Sequence, residues 1–269
     1  MVKFNRYKDG KKRALTMSYD DGRIQDVRLV EIFNKYGIKA TFHLNGNNYK
    51  NKTDEELREI AKIYEGHEVS CHTAHHPHLE HMPMSMCTKE IVEDRAILEK
   101  MCGYVIRGMS YPFGTWSESV IAAMRAGGME YSRTVNPTNS FGLPRDPMTW
   151  NPTCHHNVDI EGMWDKMIAA TWMTLPLLYI WGHSYEFDRD NNWDKMEKFC
   201  EKVSGDPDTW FATNIEILDY ANALKQLRFG WNGRMVYNPT VIDVWVEVGG
   251  EAIKIPAGAT MDLGEEASK

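Results

Sequence analysis

Four short stretches of this sequence carry side chains able to do chemistry. Asp20-Asp21-Gly22 closes an apolar run over residues 14–19 that reads as a β-strand. Adjacent side chains on a strand point to opposite faces, so both carboxylates serve one site only where the chain turns, and Gly22 supplies the turn. An isolated Asp-Asp-Gly is more often a solvated turn. The second stretch is a histidine cluster: five of the 10 histidines fall between His72 and His81. The spacing of His72 and His76 lets two imidazoles converge on one metal if the segment is helical or tightly looped, and Pro77 resists a continuing helix. His75, His78 and His81 read as surface or core residues. The third stretch, Ser110-Tyr111-Pro112-Phe113-Gly114, and the fourth, Leu178 to His183, close two further apolar runs, where barrel enzymes keep their catalytic groups.

These stretches need elements that bring them together. Strand-like runs at 14–19, 39–44, 68–71, 105–111, 130–134, 177–181 and 209–212 alternate with helical patterns at 27–36, 54–64, 89–101, 117–126, 160–171, 193–203 and 214–224. This alternation is the rhythm of a parallel sheet or barrel with helices outside, and it puts the four polar stretches at strand ends of one array. Between residues 135 and 156 the periodicity fails among four prolines, which predicts a long loop over one face. After Leu227 short alternating runs at 235–237, 241–248 and 252–255, parted by Gly-Gly and Pro-Ala-Gly, predict a small antiparallel β appendix. Residues 1–227 are therefore expected to form the α/β domain and 228–269 the appendix packed on it, with a frayed tail over 264–269.

The set of motifs resembles the polysaccharide deacetylase family, the NodB-homology domain of carbohydrate esterase family 4, over roughly residues 13–225. Asp20-Asp21 resembles the first family motif, His72 to Pro77 the second, Tyr111-Pro112-Phe113-Gly114 the third and Ile180-Trp181-Gly182-His183 the last. The resemblance implies a distorted (β/α) barrel and one divalent metal, Zn²⁺ with Co²⁺ or Ni²⁺ as substitutes, bound by Asp21, His72 and His76. It further implies Asp20 as general base, His183 as general acid, an oxyanion donor at the backbone N–H near Phe113, and an acetylated sugar as substrate. Tyr111, Pro112 and Phe113 are the expected substrate-binding or oxyanion residues.

Two features depart from the family pattern. Ser110 stands where many members carry an arginine that holds the catalytic aspartate, and Arg107 lies at an odd offset, on the opposite face of a strand. Arg145 from the long loop is the candidate replacement. The Asp-rich fourth motif is indistinct: Asp146 is the candidate to orient His183, Trp150 the candidate to stack on a sugar ring, and His155 a supporting residue. A sugar-binding protein that has lost catalysis and a metal-dependent phosphoesterase are the rival readings. The first is disfavoured because all five candidate residues are present, the second because the strand ends offer few basic groups.

The wider composition is compatible with this. The 269 residues are 42% hydrophobic and 26% charged, an ordinary globular profile. A net charge of -7 disfavours a nucleic-acid partner. The longest apolar stretch, residues 167–182, is broken by Pro176, so no membrane span is expected. The N-terminus has no continuous apolar region, and Cys71, Cys87, Cys102, Cys154 and Cys200 are an odd, scattered set. Both point to a reducing, cytoplasmic setting, unless a leader has been removed.

Overall fold

The computed structural model describes residues 1–268. In chain order the elements are β1 (Val2–Lys3), β2 (Arg13–Asp20), α1 (Asp26–Tyr36), β3 (Thr41–Leu44), α2 (Asp54–Ile63), β4 (Glu68–Cys71), α3 (Met84–Cys102) and β5 (Gly108–Ser110). There follow α4 (Glu118–Ala126), β6 (Tyr131–Arg133), β7 (Cys154–His155), α5 (Ile160–Ala169), β8 (Leu177–His183), α6 (Glu186–Arg189), α7 (Trp193–Val203), β9 (Thr209–Phe211) and α8 (Asn214–Lys225). The C-terminal strands are β10 (Arg228–Phe229), β11 (Met235–Tyr237), β12 (Val244–Val248), β13 (Glu251–Ile255) and β14 (Thr260–Asp262).

The main sheet is parallel and eight-stranded, in the order β6-β5-β4-β3-β2-β8-β7, with β9 also paired to β2. Alternation along β2 explains its burial on both faces. Leu15, Met17 and Tyr19 join the apolar cluster with Leu29 and Phe33 of α1, while Thr16, Ser18 and Asp20 occupy the opposite face. The register continues that inner, polar face across the sheet: Ser18 pairs with Thr41, Asp20 with His43 and His183, and His43 with Ser70. At the lower end Asn214, the first residue of α8, accepts from Thr16 Oγ1 (2.9 Å) and donates to Tyr179 Oη (2.5 Å). Glu68 there accepts from Thr41 Oγ1, Tyr131 Oη and the Ile215 N–H at 2.7–3.0 Å. A buried polar face is stable only when its groups are paired in this way.

Caps set the helix limits: Thr53 with Glu56 and Thr213 with Glu216 form capping boxes at α2 and α8, and Gly37 ends α1 in the left-handed region at φ 67°. The stretch over 135–156 is not simply a loop over one face. Trp150 donates its N–H to Ser132 O (2.9 Å), and Thr153 and His156 donate theirs to Tyr179 O and Trp181 O (2.8 and 2.9 Å). Residues 150–156 thus join β6 and β8 into a distorted barrel; a two-residue strand just after Pro152 leaves no periodicity to read.

The C-terminal region forms two small antiparallel sheets, β10-β11-β14 and β1-β12-β13, so the N-terminal strand pairs with the appendix. The tail is packed through Ala267, which is buried, and the N-terminal amine donates to Glu266 O (2.7 Å). Lys269 lies outside the described residues. All five cysteines are unpaired, and among the described residues no helix is long and apolar enough to cross a membrane.

Candidate active site

The C-terminal ends of β2, β4, β5, β6, β7 and β8 collect at one rim of the barrel. Asp21 leaves β2 with φ 80°, in the left-handed region, followed by Gly22 at φ 61°. That reversal brings its side chain to the same site as Asp20. After β4 the chain is not helical. Thr73 (φ 65°) and His76 (φ 57°) wind it into a tight loop, held by the bond from the His76 N–H to Thr73 Oγ1 (3.1 Å). His72 Nε2 lies 3.6 Å from Asp21 Oδ1, and His76 Nε2 lies 3.8 Å from the same oxygen.

These three atoms are the right kind and about the right distance apart to share one small divalent ion. Ligands about 2.0–2.2 Å from a tetrahedral centre stand roughly 3.3–3.5 Å from one another. Two imidazoles and a carboxylate suit Zn²⁺, and the third group's exposure leaves room for a fourth ligand. His72 has the outer partner such a ligand needs: its Nδ1 lies 2.9 Å from Ser110 O and 2.7 Å from Ser110 Oγ. The His72 N–H and the Gly46 N–H both donate to buried Asp94, which steadies the loop from behind. Burial pushes the Asp94 carboxyl up to about 7 against those two donors.

Asp20 sits beside this group, its Oδ2 3.8 Å from His72 Nε2. Its guanidinium partner comes from β6. Arg133 is fully buried, pairs with Asp20 Oδ2, donates to Ser18 Oγ (3.1 Å) and Thr134 O (3.0 Å), and lies over the Trp181 ring at 4.4 Å. Ser110 Oγ donates to the other oxygen of Asp20 (3.0 Å). Burial alone pushes the Asp20 carboxyl up, but Arg133, then His72, His43 and His183, hold it far below the usual carboxylate range. His43, on the floor beneath, is completely buried, and burial brings it down to about 3.

His183 ends β8, one strand from Asp20. Glu186, at the start of α6, accepts the His183 N–H (3.2 Å), and its Oε2 lies 3.5 Å from His183 Nδ1. Burial pulls the His183 imidazole down; Glu186, Asp20 and Asp21 more than offset this and raise it. His155 Nε2 and His156 Nε2 also face Glu186 Oε2, at 3.0 and 3.2 Å.

Several expectations fall differently. Arg145 is exposed and does not reach Asp20; Arg133 occupies that place, because the guanidinium enters along the neighbouring strand rather than from the loop. Arg107 is on the outer side, paired with Glu130 and Asp219 (both 2.6 Å). Asp146 is exposed, 3.7 Å from Arg125 and capping the turn at Met148 N, and Glu186 rather than Asp146 stands by His183. Trp150 is 1% exposed, packed edge-on against Tyr131 and Tyr179 in the barrel wall, where no sugar can reach it. Tyr111 and Pro112 are buried, Tyr111 donating to Met148 O (2.7 Å), whereas Phe113 is 51% exposed, edge-on to His76 at 4.6 Å and stacked on His78 at 3.8 Å.

Arg133, Glu186, His156 and Asp94 were not legible as site residues. A lone arginine in a three-residue strand and a glutamate three positions past a histidine carry no spacing signal; only the barrel's closure brings them to the rim.

Residues 7–132 match the family model of polysaccharide deacetylase. The chitooligosaccharide deacetylase of Bradyrhizobium sp. (strain ANU 289) is 27% identical over 122 residues, 44% of this chain and 53% of that protein. The peptidoglycan-N-acetylglucosamine deacetylase of Bacillus cereus is 26% identical over 143 residues, 52% of this chain and 51% of that one. The chain spans about half the length of the curated relatives it matches. A Mycobacterium smegmatis crystal structure assigned as a polysaccharide deacetylase shares the fold, with a TM-score of 0.62 at 17% identity, covering 81% of this chain and 93% of that one. Over residues 7–132 the chain is thus similar to the polysaccharide deacetylase family, and its fold is that of the Mycobacterium smegmatis structure.

Proposed function

We propose that the protein is a metal-dependent hydrolase that removes acetyl groups from a carbohydrate. The observation that carries this reading is the convergence of Asp21 Oδ1, His72 Nε2 and His76 Nε2 beside an ionised, buried Asp20. Asp21, His72 and His76 would hold a divalent ion, which would supply Lewis acidity for an acetyl carbonyl and for water, whose pKa it would lower towards ~7.

The chain's own groups do the rest. Asp20 stays ionised across the neutral range and accepts the attacking water's proton, while Arg133 and Ser110 fix its two oxygens. Negative charge that develops on the acetyl oxygen meets the Phe113 backbone N–H at the mouth of the site. His183, whose raised pKa keeps it protonated to higher pH than a free imidazole, gives a proton to the leaving nitrogen or oxygen. Phe113 and His78, stacked and exposed, offer an apolar face to a sugar ring.

The named relatives act on N-acetylglucosamine-containing and chitooligosaccharide substrates, which makes acetylated chitooligosaccharides the first substrates to try. Acetate release is measured from these and from O-acetylated oligosaccharides, with zinc-loaded wild type and with His72→Ala. Release by wild type and none by the variant is expected. A zinc-loaded protein that frees no acetate from either class would sink the reading.

A further inference from the structure

We propose that the face formed by Lys3, Arg6, Lys12 and Arg13 with Ile168 and Trp172 docks the protein peripherally on an anionic lipid bilayer. The charge pattern of the sequence is the first support. Six of the chain's 31 lysines and arginines fall within residues 3–13, against one of its 38 aspartates and glutamates, although the whole chain has a net charge of -7. The fold then gathers them. Lys3, Arg6, Lys12 and Arg13 line one cavity of about 330 Å³, closed on its other side by Met167 of α5 and by Met173 and Pro176 ahead of β8.

Existing ion pairs do not exhaust this charge. Glu247 pairs with Lys3 (2.7 Å) and Arg6, Asp208 with Lys12 (2.9 Å) and Asp206 with Arg13 (3.0 Å). Lys11 donates to a neutral carbonyl, Pro207 O (2.6 Å), and so keeps its charge. With Lys8 beside Asp9, the six cations meet four carboxylates, Asp9, Asp206, Asp208 and Glu247, which leaves the face positive. Lys3 and Lys12, with 61% and 55% of their side chains exposed, stand at its rim. Exposed pairs of this kind contribute little in water, so a lipid phosphate takes over either ammonium at small cost. Charge acts over roughly 8 Å at physiological ionic strength, so headgroups sense this face rather than the chain's total.

Charge alone would suit a soluble anion equally well; the apolar rim decides for a bilayer. Trp172, between two residues that line the cavity, is 81% exposed, and Ile168, itself in the lining, 38%. A tryptophan left in water forgoes the burial of its ring, whereas beside lysines at a membrane surface it sits at headgroup level and inserts its apolar face. The orientation is compatible with this. Lys12 and Arg13 stand at the start of β2 and Pro176 just before β8, while the candidate active site lies at the other ends of those strands. The length of β2 sets the two about 25 Å apart, so docking leaves the site open to solvent, whatever it hydrolyses.

Sedimentation with vesicles tests this. The protein should sediment with vesicles of phosphatidylcholine and phosphatidylglycerol mixed equally, and stay in solution with phosphatidylcholine alone. The double variant Lys3→Gln/Lys12→Gln should bind the mixed vesicles more weakly by about fivefold per lysine, and Trp172→Ala by about tenfold. All three side chains are exposed, so the circular dichroism of both variants should match wild type. No sedimentation with the mixed vesicles, or wild-type affinity in both variants, overturns the proposal. So does full release by glycerol phosphate at an equal phosphate concentration, which would assign the cavity to a soluble phosphate ester.

Discussion

At the residue scale, one contact separates this site from the family pattern: the guanidinium beside Asp20 comes from Arg133 on β6, with Ser110 in the usual arginine's place. Arg133→Ala should lower kcat by about 10²-fold or more, because the base loses the donor that orients it. It should also cost about 3–5 kcal/mol of stability by leaving a buried carboxylate unpaired. Arg133→Lys should recover part of both, while Arg145→Ala and Arg107→Ala keep near wild-type rates. Arg145→Ala as damaging as Arg133→Ala in steady-state assays would show that the supporting residue is misplaced. The adjacent aspartates should part on metal content. Asp21→Asn should lose zinc and activity together, since an amide is a poor ligand for a dication. Asp20→Asn should keep zinc and lose turnover, since the amide accepts no proton. Near-normal hydrolysis by zinc-loaded Asp20→Asn would refute Asp20 as the base.

At the scale of the element, the strands present apolar side chains to the helices and polar ones to the barrel interior, and that interior tolerates charge only where it is held neutral or paired. Glu68 of β4 is the measurable case. Burial pushes its carboxyl up to about 7 despite three donors, so the fold favours the protonated form. The stability this group contributes is present below its unfolded pKa near 4.5 and is lost as pH rises through about 7. Glu68→Gln does not titrate. Relative to wild type, the variant should therefore gain on the order of 2 kcal/mol between pH 5 and pH 8, whatever its constant offset. Urea unfolding at the two pH values measures the change, and a difference that is flat or moves the other way contradicts the account.

At the scale of the whole molecule, the barrel and the C-terminal strands are tied by β1, which pairs with β12, and by Glu247. That carboxylate accepts from Lys3 (2.7 Å), Asn5 (3.0 Å) and Arg6 (2.5 Å). Tyr220 of α8 adds a link, donating to Arg6 O and accepting the Trp245 N–H. We expect the two parts to unfold in one transition. Glu247→Ala should lower that transition by about 1–3 kcal/mol, because Arg6 is left largely buried without its partner. Its effect on kcat should be small, because the site lies at the C-terminal ends of β2, β4 and β8 while Glu247 binds Lys3, Asn5 and Arg6. Two separated unfolding transitions in wild type would show the appendix to be an independent unit.

What the sequence determined by itself follows from local rules. The alternation of strand and helix patterns pointed to a parallel sheet or barrel, the family resemblance to the barrel, β4, β11 and α7 fell at their expected limits, and Asp20, Asp21, His72, His76 and His183 stood out because each lies in a short motif beside a strand end. Tertiary structure decided what no local pattern encodes. The stretch over 150–156 became barrel wall rather than loop, since pairing with β6 and β8 rests on backbone hydrogen bonds that any sequence can make. That closure buried Trp150, placed His155 and His156 over Glu186, and left Arg145 and Asp146 in solvent. Arg133 reached Asp20 only because Ser110 of β5 pairs with it in register, putting its long side chain where the shorter serine leaves room.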